Sequence, residues 1–400
     1  MSKTEDCPDK APDKMLVIGL ISGTSIDGID AALVEIGDRG GDLSANLIAG
    51  FTYAYADDLR AEIFAVCAGE PRSLQQLCEL DDRIAESFAR AAIAINEKGG
   101  EQAELIGSHG QTVFHRPPIV AQDAKTGLGY SVQLGRGAVI AELTGLKTVS
   151  DFRVADIEAF GQAAPLVPMA DILLLSHPSK CRVCQNIGGI SNLTYLPPNA
   201  IAHQDQVFGF DNGAGNVLLD MATQKLFGYG FDRNGDLARQ GVANLELVNQ
   251  WLNQEFFRIP PPKSTGRELF SPEYLEVRLG ECEGLNNYDI LATLTEFTAQ
   301  AIAQSYRQFL PILPDEVLVG GGGGRNGYLM ERLQDLLKPA IVKRSDDFGM
   351  NGDFKEAIAF ALLAYLRIKE RVGNLPSVTG AKRSVLLGKI YPSPLKPKTQ

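Results

Sequence analysis

The sequence predicts an α/β protein built from two related halves. Apolar runs rich in Val, Ile and Leu alternate along the chain with stretches of helical periodicity, which is the pattern of an α/β architecture. The stretch 289–310 places apolar residues three and four positions apart, as a core-facing helix does. VIGLISGTS at 17–25 and QNIGGISNL at 185–193 both indicate strand, glycine turn and strand, and each opens roughly one half of the chain.

The order of elements follows from the same patterns. Strands are predicted at 16–21, 29–36, 45–55, 104–107, 147–151, 181–187, 192–196, 207–211, 316–320 and 339–343. Helices are predicted at 58–69, 74–97, 137–145, 165–176, 215–226, 243–257, 289–310, 327–337 and 354–371.

Composition excludes several classes of function. The 400 residues, 44% of them apolar, suffice for two globular domains. The formal net charge of −11 argues against a surface for nucleic acid or anionic membranes, because nothing would neutralise the phosphates. No run approaches the roughly 18 apolar residues of a membrane span, and the polar start of the chain lacks the apolar core of a signal peptide. We therefore predict a cytoplasmic protein without nucleic-acid or membrane partners.

The cysteines and histidines point to neither disulfides nor a metal centre. Six cysteines are scattered rather than arranged as a disulfide framework, which agrees with a reducing compartment. Cys181 and Cys184 form a lone CxxC, and a zinc site needs a second pair. The spacing of His109 and His115 suits no two-histidine metal motif. The sequence therefore assigns no metal ligands.

The stretch 16–36 has the composition of a phosphate site, because two apolar runs bracket a loop of small and polar residues. This loop and its edges hold three glycines, three hydroxyl residues and two aspartates: Gly19, Gly23, Gly28, Ser22, Thr24, Ser25, Asp27 and Asp30. Glycines let consecutive N–H groups turn toward an anion, and hydroxyls add donors. Aspartates beside a phosphate require a cation, and Mg²⁺ is usually held by one or two carboxylates plus substrate phosphates. The alternative is an ordinary β-hairpin with a Gly-Asp turn.

A second polar segment, FGFDNGAGN at 208–216, follows a predicted strand. Asp211 ends that strand, and small residues lead to a helix that begins near Asn216 or Val217. A carboxylate at this position is rigid and close to a helix N-terminus, so Asp211 is a candidate general base or metal anchor. The alternative is an Asp that caps the helix or forms an Asx-turn.

Five consecutive glycines, 320–324, begin at the last residue of the predicted strand 316–320. Gly322, Gly324 and Gly327 satisfy GxGxxG, and Asp346 and Asp347 lie about twenty residues later, so a dinucleotide-binding interpretation is open. A glycine turn between strand and helix suits nucleotides generally. Both interpretations predict a nucleotide site here.

The segment KSTGRE at 263–268 is not a P-loop. Its upstream glycines are missing, and the prolines at 260–262 cannot donate N–H groups to phosphate. Lys263 and Arg267 are candidate counter-charges for phosphate, and a solvated loop is the alternative.

Candidate residues for a sugar follow two further strands and open a late helix. GSHGQT at 107–112 and DFRVAD at 151–156 present hydrogen-bonding side chains in the density a sugar requires. A structural role is the alternative for His109. Glu356 stands in the first turn of an apolar helix, where compensation of the helix dipole is the alternative.

GTSIDGID at 23–30, GSHGQT and KSTGRE together resemble the anhydro-N-acetylmuramic acid kinases, a branch of the sugar kinase, Hsp70 and actin superfamily. The resemblance runs from about Leu16 to Tyr391. It implies a two-lobed actin-like ATPase (ribonuclease H-like) fold with a nucleotide cleft between the lobes. The first lobe would comprise 15–154 plus 372–392 with the phosphate hairpin and sugar-binding side, the second 155–371 with the catalytic aspartate and the nucleotide-binding glycines. Residues 1–14 and 393–400 would be flexible tails.

The resemblance also implies roles for individual residues. Asp211 would be the catalytic base. The nucleotide would be bound by Gly23, Thr24, Ser25, Ile26, Asp27, Gly28, Ile29, Asp30, Gly188, Gly189, Gly321, Gly322, Gly323 and Asn326. The substrate would be bound by His109, Gln111, Arg153, Asp156 and Glu356.

The implied reaction couples hydrolysis to phosphorylation. Asp211 takes a proton from a water that attacks the anomeric carbon, the 1,6-anhydro bridge opens, and the freed 6-oxygen receives the γ-phosphoryl group of ATP with Mg²⁺ as cofactor. The product would be N-acetylmuramic acid 6-phosphate, formed in the recycling of cell-wall amino sugars, and the family expectation is a homodimer. An ordinary sugar-hydroxyl kinase, a non-catalytic ATP-switched binding protein and a dehydrogenase remain alternatives.

The chain departs from the family pattern at a few positions. Asn212 and Ala214 stand where threonine and proline are usual, and Val154 and Ala155 replace two arginines, which bears on selectivity for the lactyl carboxylate of the substrate. Where glycines are usual before APLVP, the chain has Phe160 and Ala163.

Overall fold

The computed structural model describes residues 13–23, 26–100, 102–116, 118, 129–266 and 268–394. The strands in these ranges are β1 (Asp13–Ser22), β2 (Gly28–Arg39), β3 (Asp42–Ala54), β4 (Leu105–Arg116), β5 (Tyr130–Leu134), β6 (Lys147–Ser150), β7 (Arg182–Ile187), β8 (Ile190–Leu196), β9 (Phe208–Ala214), β10 (Glu316–Gly320), β11 (Ile341–Arg344) and β12 (Lys389–Tyr391). The α-helices are α1 (Asp57–Cys67), α2 (Leu74–Lys98), α3 (Gly137–Thr144), α4 (Val154–Glu158), α5 (Pro168–Leu175), α6 (Val217–Phe227), α7 (Leu245–Leu252), α8 (Glu255–Arg258), α9 (Pro272–Glu281), α10 (Asn287–Phe309), α11 (Gly327–Leu336), α12 (Lys355–Ile368) and α13 (Pro376–Thr379).

The described chain divides into two compact units. Unit 1 contains the described residues up to 174 and those from 354 onward, and unit 2 contains 175–353. The lobe boundaries predicted after 154 and 371 therefore differ from the observed ones, since 155–174 and 354–371 belong to unit 1. The predicted tail 1–14 also differs, because β1 begins at Asp13; residues 1–12 and 395–400 lie outside the described ranges.

Unit 1 is built on a mixed sheet with the order β12-β6-β4-β1-β2-β3, and β5 pairs with β4. Strands β1, β2 and β3 form an antiparallel meander. Strands β4 and β6 continue the sheet in parallel on the other side of β1. Helix α2 covers one face with an apolar stripe of period 3.6, which includes Ile84, Phe88 and Ile95.

Helix α12 packs against the sheet of unit 1 and explains why 354–371 belongs there. Gly19 on β1 and Gly107 on β4 are register partners. A Cβ atom at Gly19 would lie 1.8 Å from the carbonyl oxygen of Ala357, and one at Gly107 would lie 2.2 Å from that of Phe360. The two glycines thus let the backbone of α12 approach the strands to a distance that any side chain would prevent.

Unit 2 repeats the topology of unit 1. Its sheet has the order β11-β10-β7-β8-β9, in which β7, β8 and β9 form an antiparallel meander and β10 and β11 continue in parallel on the other side of β7. Helix α10 buries Phe297, Ile302 and Tyr306 among apolar residues of this unit. The α/β class and the duplication predicted from the two glycine turns are both confirmed.

Some elements differ from the prediction for identifiable reasons. Strand β4 continues to Arg116, far beyond the predicted 104–107, because its second half is polar and lacks an apolar signal. Strand β9 continues to Ala214, past Asp211, through a β-bulge. The predicted helix 243–257 is two helices, α7 and α8. Short elements such as β5, β12 and α4 were not predicted.

Candidate functional site

The turn between β1 and β2 in unit 1 connects the two antiparallel strands where a phosphate site is predicted. Ile26 adopts a φ of 53° and buries its side chain in the core, and its N–H donates to the Gly23 carbonyl at 3.2 Å. Arg60 on α1 donates from Nε to the Ile26 carbonyl and from Nη2 to Asp27 Oδ1, both at 2.9 Å. The predicted donors Thr24 and Ser25 lie outside the described residues. The two edges of the turn are therefore anchored, and Gly23 and Asp27 are exposed between them.

Strand β2 begins at Gly28, directly after the turn, and Asp30 is its third residue. A Cβ atom at Gly28 would lie 2.6 Å from the Tyr53 carbonyl oxygen, so the position requires glycine. The Ile29 side chain is fully buried and offers a ligand only its backbone. Asp30 accepts a hydrogen bond on Oδ1 from Thr52 Oγ1 at 2.6 Å.

The buried His109 and the half-buried Arg153 form a hydrogen-bonded pair in unit 1. Arg153 Nε donates to His109 Nε2 at 3.0 Å, so the other ring nitrogen, Nδ1, carries the proton that it donates to the Gly110 carbonyl at 3.0 Å. Burial, followed by the Arg153 charge, lowers the pKa of His109 to about 3. The imidazole is therefore neutral at physiological pH and fixed in one tautomer.

Glu356, in the first turn of α12, interacts electrostatically with Arg153 of this pair and with Asp30. Desolvation raises its pKa, and the Asp30 charge raises it further, while Lys355 and Arg153 act in the opposite direction. The side chain is nevertheless open to solvent. Burial lowers the pKa of Arg153 to about 10, partly offset by Glu356. The structure thus brings Asp30, His109, Arg153 and Glu356 together.

Gln111 lies at the carboxyl end of β1, where it is the register partner of Ser22. Its amide nitrogen donates to the carbonyls of Thr112 at 3.1 Å and Gly23 at 3.5 Å. Among the described residues, its amide oxygen is buried without a hydrogen-bond partner. Such a group is expected to meet a ligand or an ordered water.

Asp156 does not face a ligand, contrary to the prediction from DFRVAD. It is fully buried, and its carboxylate accepts hydrogen bonds from Ala163 N at 2.7 Å and from Asn374 Nδ2 and Thr379 Oγ1 at 2.8 Å. Three donors satisfy the charge, so Asp156 ties the C-terminal segment to the loop after α4.

Asp211 lies on β9 in unit 2, half-buried. Its Oδ2 accepts a hydrogen bond from the backbone N–H of Thr265 at 2.8 Å. Burial raises its pKa to about 6; the Thr265 hydrogen bond opposes this, the Glu268 charge adds to it and the Lys263 charge opposes it. A carboxylate with such a pKa is still ionised at neutral pH and is a stronger base than an exposed aspartate.

Lys263, a predicted counter-charge for phosphate, has its ammonium engaged within unit 2. Nζ donates to the Phe256 carbonyl at 3.1 Å and lies over the rings of Phe210, Phe256 and Phe309. The other predicted counter-charge, Arg267, lies outside the described residues.

The glycine turns of unit 2 lie against each other. The carbonyls of Gly188 and Gly189, between β7 and β8, accept hydrogen bonds from the backbone amides of Asn216 at 2.7 Å and Gly215 at 2.9 Å. Gly321 has a φ of 77°, and a Cβ there would lie 2.7 Å from the carbonyl oxygen of Ile187, which directly precedes the first turn.

Two further members of the predicted nucleotide set lie beside them. A Cβ at Gly323 would lie 2.3 Å from Ile187 Cγ2, and one at Gly322 would lie 3.4 Å from Asn216 Nδ2. The start of α6 and both glycine turns therefore converge.

Asn326, which is predicted to contact the nucleotide, caps a helix in the structure. Its side-chain oxygen caps α11 by accepting from Leu329 N at 3.0 Å, and the residue is largely buried. The oxygen therefore already has one partner within its own helix, and contact of Asn326 with a nucleotide stays a prediction.

Sequence reasoning missed two features that position Asp211. One is the Thr265 amide, which no sequence pattern identifies because the donor is backbone. The other is Asn212, the additional residue of the bulge in β9, whose Oδ1 accepts from Gln185 Nε2 at 2.9 Å and whose Nδ2 donates to Ser305 Oγ at 2.6 Å. The asparagine that departs from the family pattern is thus fully satisfied in a buried network.

None of the helices described is both long enough and apolar enough to cross a membrane.

A family model described as anhydro-N-acetylmuramic acid kinase matches residues 15–393. An anhydro-N-acetylmuramic acid kinase of Rippkaea orientalis is 56% identical over 382 residues, which cover 94% of this chain and 99% of that protein. One of Acaryochloris marina is 55% identical over 384 residues, with 94% and 100% covered. Among solved structures, component A of the Acidaminococcus fermentans (R)-2-hydroxyglutaryl-CoA dehydratase aligns with a TM-score of 0.45 at 13% identity, over 89% of this chain and 99% of that chain.

Proposed function

The chain belongs to the anhydro-N-acetylmuramic acid kinase family, and from this premise we propose that Asp211 is the base that activates water in its reaction. The enzyme is a phosphotransferase with an alcohol group as acceptor; it phosphorylates 1,6-anhydro-N-acetylmuramic acid with ATP in cell-wall recycling. Its fold is the two-lobed actin-like ATPase fold of that superfamily, and the dehydrogenase interpretation of its glycines is not supported.

The environment of Asp211 supports its role as the base. The Thr265 amide fixes the orientation of the carboxylate, and burial raises its pKa to about 6. We propose that Asp211 takes a proton from water as the water oxygen bonds to the anomeric carbon. The bond from that carbon to the bridging oxygen breaks, and the freed 6-oxygen accepts the γ-phosphoryl group while ADP leaves.

The polar side chains of unit 1 described above are proposed to bind the sugar. The amide oxygen of Gln111 is an acceptor for a sugar hydroxyl, and Glu356 is open to solvent. Arg153 is held by His109 and supplies a cation for the lactyl carboxylate, in the segment where Val154 and Ala155 replace arginines. In unit 2, the glycine turns at 188–189 and 321–323 are proposed to approach ATP through their backbone.

We further propose that Mg²⁺ binds beside Asp30. The described residues contain no group of three His, Cys, Asp or Glu side chains that could hold a metal, but Mg²⁺ needs only one or two carboxylates besides phosphate oxygens. The chemistry at Asp30 fits, because its charge already raises the pKa of Glu356 and a cation there would relieve that repulsion. When bound, Mg²⁺ would neutralise charge on the phosphates.

Asp30→Asn is expected to raise the Mg²⁺ concentration for half-maximal activity by about tenfold or more, since a neutral amide replaces the carboxylate. The measurement is a Mg²⁺ titration of the rate at saturating ATP. Asp57→Asn, a change of the same kind on the exposed start of α1, is the control. An unchanged Mg²⁺ requirement in Asp30→Asn would exclude Asp30 as a metal ligand.

Turnover in ¹⁸O-labelled water is expected to give a phosphorylated product that carries one label at the anomeric hydroxyl, because water and not the sugar supplies that oxygen. Mass spectrometry of the product of ATP, Mg²⁺ and 1,6-anhydro-N-acetylmuramic acid measures it. An unlabelled, still-bridged product would favour an ordinary sugar-hydroxyl kinase. Binding of ATP without any product would favour the ATP-switched binding protein.

The family also leads us to propose a cytoplasmic location and a homodimer. Cell fractionation tests the first, and sedimentation velocity tests the second; a monomer at micromolar concentration would contradict it.

A further inference from the structure

The segment 263–265 is attached to Asp211 at two places. The backbone N–H of Asp211 donates to the Lys263 carbonyl at 3.1 Å, and the backbone N–H of Thr265 donates to Asp211 Oδ2 at 2.8 Å. Asp211 is therefore held to this segment by its main chain and by its carboxylate. Any movement of the segment moves the hydrogen bond that orients the carboxylate.

The side chain of Lys263 anchors the same segment to aromatic residues of three elements. Its ammonium lies 4.7 Å from the ring centre of Phe309 on α10, 4.8 Å from that of Phe256 on α8 and 5.9 Å from that of Phe210 on β9. All three distances are within the range of cation–π attraction. With its hydrogen bond to the Phe256 carbonyl, the ammonium joins three elements to one short segment.

We propose that Lys263 is a positioning residue for Asp211: its ammonium, held among the rings of Phe210, Phe256 and Phe309, fixes the segment whose Thr265 amide orients the Asp211 carboxylate. This inference rests on the proposed role of Asp211 as the base. A lysine that neutralised phosphate would instead direct its ammonium toward the nucleotide, away from an aromatic cage.

The charges around Asp211 provide a second, independent readout. Glu268 raises the pKa of Asp211 and Lys263 lowers it. Burial lowers the pKa of Lys263 to about 8, and the charge of Asp211 acts in the opposite direction by favouring the protonated ammonium. Loss of the Lys263 cation removes one of the two interactions that lower the pKa of Asp211, so this pKa rises, and the acid limb of the rate profile moves to higher pH.

The test compares Lys263→Met with Lys263→Arg in the full-length enzyme. Lys263→Met is expected to lower kcat about tenfold to a hundredfold, the cost of misplacing a reacting group, with the KM for ATP unchanged. Its acid limb is expected to shift upward by up to about one pH unit. Lys263→Arg keeps a cation that stacks on aromatic rings and is expected to restore most of kcat and the acid limb. Lys225→Met, which removes an exposed lysine on α6, is the control for loss of charge.

Other kinetic results would contradict the positioning role of Lys263 or the proposed role of Asp211. A raised KM for ATP with normal kcat would overturn the inference in favour of a phosphate counter-charge. A lower kcat with an unmoved acid limb, unrelieved in Lys263→Arg, would indicate a merely structural role and would also overturn it. Normal kinetics of Lys263→Met beside an inactive Asp211→Asn would overturn this inference alone, whereas an active Asp211→Asn would overturn the proposed function.

Discussion

Asp211→Asn is expected to lower kcat by about a thousandfold or more while the affinity for ATP stays nearly unchanged. The substitution keeps the shape of the side chain and an oxygen that can accept the Thr265 hydrogen bond, but the amide cannot take a proton from water. General bases contribute roughly 10² to 10⁴ to rates, and among the described residues Asp211 is the carboxylate that accepts the hydrogen bond of Thr265 N. The measurements are kcat with the anhydro sugar and the dissociation constant of ATP by calorimetry.

Asp220→Asn is the control that shows whether the position of Asp211 matters or only its raised pKa. Burial raises the pKa of Asp220 on α6 to about 6, the same value as for Asp211, but no hydrogen bond to the 263–265 segment accompanies it. We expect near-normal kcat for this variant. Turnover of Asp211→Asn close to that of the unmodified enzyme would refute the assignment of the base.

The sign of the pH dependence follows from the same group. A base must be deprotonated to act, so a carboxylate whose pKa is raised to about 6 loses activity as pH falls through that value. The rate should therefore decline about tenfold per pH unit below roughly pH 6, and Asp211→Asn should abolish this limb in any residual activity.

Gly19→Ala is expected to destabilise unit 1 by at least about 3 kcal/mol, since overpacking already costs 1 to 3 kcal/mol where side chains can yield. Here the added methyl group would lie 1.8 Å from a backbone oxygen of α12, and a helix backbone cannot move aside as a side-chain end can. Urea unfolding followed by circular dichroism measures the change, which would lower the midpoint or prevent folding.

Gly280→Ala is the matched control. This glycine lies within α9, has no atom within 4 Å of the added Cβ and has no positive φ, so alanine should be neutral or stabilise by about 0.5 to 1 kcal/mol. Equal stability of Gly19→Ala and the unmodified protein would mean that α12 does not lie on β1 in solution.

The fold was more predictable from the sequence than the site. Apolar periodicity located most strands and helices, and the two glycine turns revealed the duplication. Apolar periodicity could not locate the second half of β4, because Gln111 and His109 interrupt the apolar pattern there. Nor did periodicity indicate that α12 belongs to unit 1, since that depends on contacts between Gly19 and residues more than 300 positions away.

Within the site, residue type located the polar side chains that are engaged in the structure. It did not predict which atoms each of them contacts. Asp156 and Asn326 have the polarity of ligand contacts, but buried donors and a helix end occupy them. Lys263 has the charge of a phosphate ligand but lies among aromatic rings. A sequence lists donors and acceptors, and only the three-dimensional arrangement decides which of them satisfy one another.

The way unit 1 is assembled from both ends of the chain has a consequence for synthesis on the ribosome. Chains emerge N-terminus first, and domains generally fold as units. Strands β1 and β4 emerge early, yet the helix that covers Gly19 and Gly107 is completed only at Ile368. Unit 2, which is continuous from 175 to 353, is fully synthesised before then. The sheet of unit 1 therefore lacks the helix that covers one of its faces while the whole of unit 2 is translated, and apolar surface exposed in this way during synthesis is prone to aggregate.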